Sequence, residues 1–167
     1  AAGEDEEALR FLRRYETRND DPAALEDVLR RLADLLAGSS EVRDLSLERA
    51  DLLAERLDRA GDAIAVLRWV VDEVAPDHVV ALSRLAALCE RARDLPGRAD
   101  ALWRQLRLLE DAGLRLPVAQ RLSDLHEREA PEPARAIDAL FAWTNADRED
   151  TAPLERLAPL LEAAGRF

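Results

Sequence analysis

The chain has one cysteine, Cys89, no methionine, no lysine and seven Phe, Trp and Tyr residues in all among its 167. A single cysteine excludes an internal disulfide framework, and it also excludes a cysteine-rich zinc site. Glycine (6) and isoleucine (2) are scarce, which argues against a large sheet. No apolar run approaches the ~20 residues of a membrane-spanning helix, so no membrane insertion is expected. All 24 basic residues are arginine. Because Phe, Tyr, Ile and Asn, all with AT-rich codons, are rare as well, the missing lysine reads as the mark of a GC-rich, bacterial genome. The chain opens Ala1-Ala2-Gly3 without an initiator methionine and is expected to be a processed or excised piece of a longer polypeptide.

What is present is helix former and charge. Alanine (31) and leucine (30) together exceed a third of the residues. Thirty-five acidic against 24 basic side chains leave a net charge of −11, which disfavours nucleic acid as a partner. Apolar residues recur at three- and four-residue spacing almost throughout, the period of an amphipathic helix. Pro22, Pro96, Pro117, Pro133 and Pro153 stand before such runs, where a first helical turn tolerates them. Asn19, Gly61, Gly113 and Gly165 stand at the ends of runs, where a left-handed cap is expected. The pattern predicts nine helices, over 5–18, 22–37, 41–59, 62–74, 78–92, 95–111, 117–129, 133–145 and 152–164. Pro159 falls inside the last and is expected to kink it or delay its start. Connections are only a few residues long, so consecutive helices are expected to pack antiparallel.

Internal repetition decides the architecture. Residues 82–95 and 154–167 are identical at seven of fourteen positions. Alternate helices share a column of one large apolar residue, a neighbour that is usually small, and a further packing residue four positions after the first. Phe11-Leu12-Tyr15, Leu53-Ala54-Leu57, Leu85-Ala86-Cys89, Leu122-Ser123-His126 and Leu157-Ala158-Leu161 fit it. The intervening helices carry Ala24, Ala63, Ala99 and Ala136, with Leu67, Trp103 and Leu140 four residues after the last three. On these columns, on the Gly61-Asp62 turn and on the Gly165–Phe167 ending, the chain resembles the tetratricopeptide repeat family in a degenerate form. The resemblance implies an all-α solenoid of antiparallel helical hairpins, a right-handed superhelix. It would run over 1–167 as a single domain of about four and a half repeats.

Catalytic patterns are not found. His126-Glu127 begins like a zincin motif, but the second histidine is missing. There is no glycine-rich phosphate loop and no serine nucleophile elbow. His126 and Cys89 share a packing column and are expected to be buried, the histidine with a satisfied nitrogen. Trp69, Trp103 and Trp143 lie on second-type helices and are expected in the core; an exposed one would mark a partner contact. No cofactor, metal or catalytic role is expected.

In the resembled family the first-type helices line an inner, concave wall. Projected onto this chain, 25 inward positions hold eleven acidic and four basic residues. The candidate partner-binding residues on that wall are Glu48, Asp51, Glu55, Asp58, Glu90, Asp124 and Glu127. A concave surface of one sign attracts the opposite charge, so the expected function is a non-catalytic scaffold holding a protein or peptide partner, of basic character, in an acidic groove. The alternative is a recognition or regulatory arm of a larger multidomain enzyme or signalling protein, which the flanking sequence would reveal. RNA binding by a helical-hairpin repeat would require a basic inner face. Phe167 is expected to be half-exposed and to favour end-to-end self-association.

Overall fold

The computed structural model describes residues 2–165. Among these run nine α-helices: α1 Ala2–Asn19, α2 Pro22–Leu35, α3 Glu41–Glu55, α4 Ala60–Trp69, α5 Val79–Arg91, α6 Leu95–Leu108, α7 Ala112–Asp124, α8 Pro133–Ala146 and α9 Ala152–Ala163. Five-residue π turns, Val70–Val74 and Leu125–Glu129, extend α4 and α7. No strand occurs among the described residues. The fold is the all-α stack of helical hairpins that the sequence pattern predicts. Residues up to Leu88 form one compact unit and those from Cys89 onward a second. In the first unit α2 packs between α1 and α3, and α4 lies on the other side of α3. In the second, α7 packs between α6 and α8, and α9 packs on α8.

Helix starts follow from local chemistry. Asp21 accepts hydrogen bonds from the backbone N–H groups of Ala23 (3.1 Å) and Ala24 (3.0 Å), and Pro22 fills the first position, where no donor is needed. Asp94 caps α6 through the Gly97 N–H at 3.0 Å, and Asp111 caps α7 through the Leu114 N–H at 3.0 Å. The two π turns share one cause. Each ends on an alanine followed by proline, Ala75-Pro76 and Ala130-Pro131. A residue before proline is pushed out of the helical region, and Ala75 (φ −148°) and Ala130 (φ −134°) lie there. Their N–H groups close the widened turns on the Val70 and Leu125 carbonyls, both at 2.8 Å.

The core follows the leucine column. Leu53 and Leu122 are fully buried, Leu85 is 2% exposed and Leu157 3%. Burial of each such side chain contributes roughly 1.5–3 kcal/mol. The small partner beside it is buried in three cases, Ala54, Ala86 and Ser123, while Ala158 of α9 is exposed. Cys89 and His126 are buried as expected, as are Ala63 and Ala136 with Leu67 and Leu140 four residues on.

Several expectations are overturned. In α1 the buried residue is Leu9, and Phe11 (60% exposed) and Tyr15 (51%) face outward, so the column there is displaced. In α6 the fully buried residues are Ala101 and Leu102, and Ala99 with Trp103 sits at the margin. Trp69 is 44% exposed. The left-handed positions after helices are Asp20, Asp58, Arg93, Gly38 and Gly165; Asn19, Gly61 and Gly113 lie within helices. Aspartate tolerates that conformation through its short side chain, which leaves those glycines free to stand elsewhere. Pro117 sits inside α7, because the Asp111 cap starts the helix five residues before it. Pro159 sits inside α9, which begins at Ala152 without delay. Phe167 lies outside the described residues.

Candidate functional site

The seven candidate carboxylates occupy the first-type helices and the turns that follow them. Glu48, Asp51 and Glu55 are on α3, Asp58 in the turn after it, Glu90 on α5, Asp124 on α7 and Glu127 in the π turn beyond. Five of the seven are engaged by arginines of a neighbouring first-type helix. Glu48 accepts from Arg13 of α1. Asp51 pairs with Arg84 of α5 at 2.7 Å. Glu90 meets Arg121 of α7 at 3.0 Å. Arg156 of α9 reaches Asp124 at 2.9 Å and Glu127 at 2.8 Å. Arg10 of α1 adds a bond to Glu41 of α3 at 2.7 Å. Glu55 and Asp58 are both exposed and make no ion pair with a described residue.

The pairing has a sequence rule. Arg84, Arg121 and Arg156 each stand one residue before a core leucine, and Glu90, Glu127 and Glu162 each stand five after one. Arginine of one unit meets that acid of the unit before it in Arg121–Glu90 and Arg156–Glu127, whereas Arg84 meets Asp51 and leaves Asp58, five residues after Leu53, without an arginine among the described residues. These acids tie first-type helices of consecutive hairpins together, and their charge is largely met within the molecule. On α3 the acids also crowd one another. Burial pushes the Asp51 carboxyl above its ordinary range; Arg84 draws it back down, and Glu55 and Glu48 push it up again. For Arg156, burial alone would lower the guanidinium, but its hydrogen bonds to Glu127 and Asp124 hold it above the usual value.

Three features escaped the sequence reading. Arg98 of α6 takes the position of the small column residue and is 5% exposed. One terminal nitrogen donates to both oxygens of Glu129, at 2.8 and 2.9 Å, and the other pairs with Glu90 at 3.1 Å. It thereby ties α6 to the end of the second π turn. His126 accepts at Nε2 from the indole N–H of Trp103 at 3.1 Å, which leaves the ring proton on Nδ1. That Nδ1 has no hydrogen-bond partner, and the Glu132 carboxylate stands 3.8 Å away. The expectation of a satisfied nitrogen thus holds for one ring nitrogen only.

The third feature is on the surface. Along α1, Arg10, Arg13, Arg14, Thr17 and Arg18 with Glu48 line a basic cleft. Beside it Phe11 and Tyr15 stack with ring centroids 6.4 Å apart. This side of α1 is thus basic and aromatic. Elsewhere in the same unit Trp69 borders two adjoining clefts, one lined by Ser46, Arg49, Arg59 and Asp62, the other by Gly38, Val42, Glu73 and Val74. Among the described residues no group of three or more His, Cys, Asp or Glu side chains could hold a metal ion, and no helix is long and apolar enough to cross a membrane.

No family model and no curated protein sequence matches the chain. Solved structures do match it in fold. A MamA fragment (41-end) from Desulfovibrio magneticus RS-1 aligns over 99% of this chain and 89% of its own, with a TM-score of 0.58 and 16% identity. A second MamA structure aligns over 98% and 85%, at 0.57 and 15%. BtubC (BKLC) from P. vanneervenii aligns over 96% and 73%, at 0.53 and 13%. These are helical-solenoid, TPR-like proteins, and at such identities they share this chain's fold alone.

Proposed function

We propose that the chain is a non-catalytic helical-repeat scaffold of tetratricopeptide type that holds a protein partner, with a basic segment of that partner docking at the C-terminal end of α3. The observation that carries this reading is the pair of exposed carboxylates Glu55 and Asp58, which meet no described cation and stand at and just past the end of α3, beyond the crowded Glu48 and Asp51. There the negative field is not cancelled by an arginine of the next hairpin, so an incoming guanidinium or ammonium meets it at full strength. Glu48, Asp51, Glu90, Asp124 and Glu127 hold the wall in shape and contribute through their residual charge. Trp69 supports a second contact for the same class of partner, since a half-exposed indole beside a cleft is the side chain that most often anchors protein interfaces.

The test is binding of a fluorescent oligo-arginine peptide to the native chain and to the double variant Glu55→Gln, Asp58→Asn. Asparagine at position 58 keeps a residue suited to its positive φ of 52°. A control variant, Glu110→Gln with Asp138→Asn, removes the same charge elsewhere. The reading expects the first variant to weaken binding about tenfold and the control less than about twofold. Equal losses in both would mean that the peptide senses net charge alone, and the docking site would be wrong.

A further inference from the structure

We propose that the cleft beside Trp69 receives an arginine side chain of the protein partner, its guanidinium laid on the indole and met by the carboxylates of Asp34 and Glu73. The seat rests on the scaffold reading above and names the side chain that such a partner presents there. The cleft is built wholly within the first unit. Its walls are the end of α2 and the end of α4 with the π turn beyond it, and its floor is α3. Both walls pack on that floor, so the sides and the bottom of the cleft are in place. It has two arms, of about 360 and 520 Å³, which share Ala33, Asp34 and Trp69. Clefts of roughly 300–1,000 Å³ are the size that holds small ligands and side chains.

Charge and ring chemistry choose the occupant. The first arm carries Arg49 and Arg59, but both are already held, Arg49 by Glu26 and Arg59 by Asp62, each at 2.6 Å. The second arm carries Asp34 and Glu73 and no cation. Glu73 makes no ion pair with a described residue, and Asp34 is met by Arg30 at 3.5 Å, the outer edge of a hydrogen bond. Trp69 lines the same arm and is 44% exposed. The other two indoles show what covers such a ring in this molecule. Arg135 lies 5.7 Å from the centre of the Trp103 ring and Arg156 lies 5.2 Å from that of Trp143, whereas no described arginine lies over Trp69. A cation for this ring has to come from a partner. A guanidinium suits the seat better than an ammonium, because it is planar, stacks on an aromatic face and forks onto carboxylates. Ala37 and Val42 line the same arm and give the methylene stem of that arginine an apolar wall.

The experiment is a nuclear magnetic resonance titration of the isotope-labelled 167-residue chain with acetyl-Leu-Arg-Leu-amide, read from the three indole N–H signals. Trp69→Phe assigns the signal of interest. That signal is expected to shift and saturate with a dissociation constant of about 1 mM. The indoles of Trp103 and Trp143, which already donate to His126 and Asp150, are expected to stay in place. The lysine analogue of the peptide should bind roughly threefold more weakly. Asp34→Asn with Glu73→Gln should weaken the arginine peptide about fivefold, and the spectrum itself shows that this variant is folded. A Trp69 signal that does not move at about 10 mM peptide overturns the proposal. So does a lysine peptide that binds as tightly as the arginine peptide, since a bare positive charge would then suffice. A double variant that binds as the native chain does also overturns it. The Glu55→Gln, Asp58→Asn variant is expected to keep the full Trp69 shift. If oligo-arginine binding proves indifferent to Glu55 and Asp58, the docking site at the end of α3 falls while the Trp69 seat stands on its own titration, so the two readings fail separately.

Discussion

Replacing Arg156 by methionine tests whether the acids of the first-type helices hold the hairpins together. Methionine keeps most of the apolar stem, so what is lost is the guanidinium. That group donates to Glu127 from Nε at 3.1 and 3.2 Å and to Asp124 from Nη2 at 2.9 Å, and it lies 5.2 Å from the centre of the Trp143 ring. The side chains of Arg156 and Glu127 are 22% and 19% exposed, while that of Asp124 is 47% exposed. The Glu127 bonds are therefore poorly screened, and hydrogen bonds to charged groups contribute roughly 1.5–3 kcal/mol. The Asp124 bond, half in water, adds less than ~1 kcal/mol. A loss of about 2–3 kcal/mol is expected, including the cost of leaving Glu127 partly buried without a partner. The assay is urea unfolding followed by far-ultraviolet circular dichroism, in a double-mutant cycle of Arg156→Met with Glu127→Gln. The same cycle on Arg13 and Glu48, with side chains 38% and 36% exposed, supplies the comparison and should couple by less than ~1 kcal/mol. A coupling at Arg156–Glu127 no larger than at Arg13–Glu48 would refute the structural role of the pair.

Two further outcomes follow from single residues. Burial lowers the His126 pKa and Arg135 lowers it further, while Glu132 and the Ala130 backbone raise it less, so the folded ring resists protonation. Its contribution to stability is complete above the unfolded pKa of about 6.5 and is lost as pH falls below that, by up to about 1.4 kcal/mol per pH unit. Urea midpoints of the native chain should fall more steeply between pH 7.5 and 5.5 than those of His126→Leu, and parallel slopes would show that the ring takes up its proton without cost. Arg93 follows α5 with φ 57°, a conformation that costs a side-chain-bearing residue roughly 1–2 kcal/mol. Arg93→Gly should relieve that cost against about 0.4–1 kcal/mol of added unfolded-state entropy and gain roughly 0.5 kcal/mol, whereas a lower urea midpoint would mean that the arginine side chain is needed at the turn.

The helices were legible because several signals agreed along the chain. Aspartate before an apolar run and proline at its first turn mark α2 and α6 unambiguously, and the leucine column picks out Leu53, Leu85, Leu122 and Leu157, which are all buried. Legibility failed where two residue types can serve the same backbone need. A left-handed turn accepts aspartate as well as glycine, so a glycine-based reading places stops at Gly61 and Gly113 and passes over Asp20 and Asp58. In α1 the column slipped because Leu9, Phe11, Leu12 and Tyr15 are all apolar, and periodicity alone does not say which of two adjacent stripes faces inward.

The same ambiguity explains the surface. Counting charge on the first-type helices finds the carboxylates but not their partners, since the arginines that meet them lie on a neighbouring hairpin, about thirty residues away. The signal was nonetheless present, because an arginine before the core leucine and an acid five residues after it repeat with the column itself. The repeat has an exception at Asp58, five residues after Leu53, because Arg84 meets Asp51 instead. By their pairs Glu90 and Glu127 belong to the scaffold. Glu55 and Asp58 at the end of α3, and Glu162 on α9, are acids that no described arginine meets. A carboxylate already paired across hairpins has little left to offer a partner, because any new cation must first displace a preorganised guanidinium. Net charge is therefore a poor guide to where such a protein binds, and the unpaired remainder, small as it is, is where a basic partner gains most.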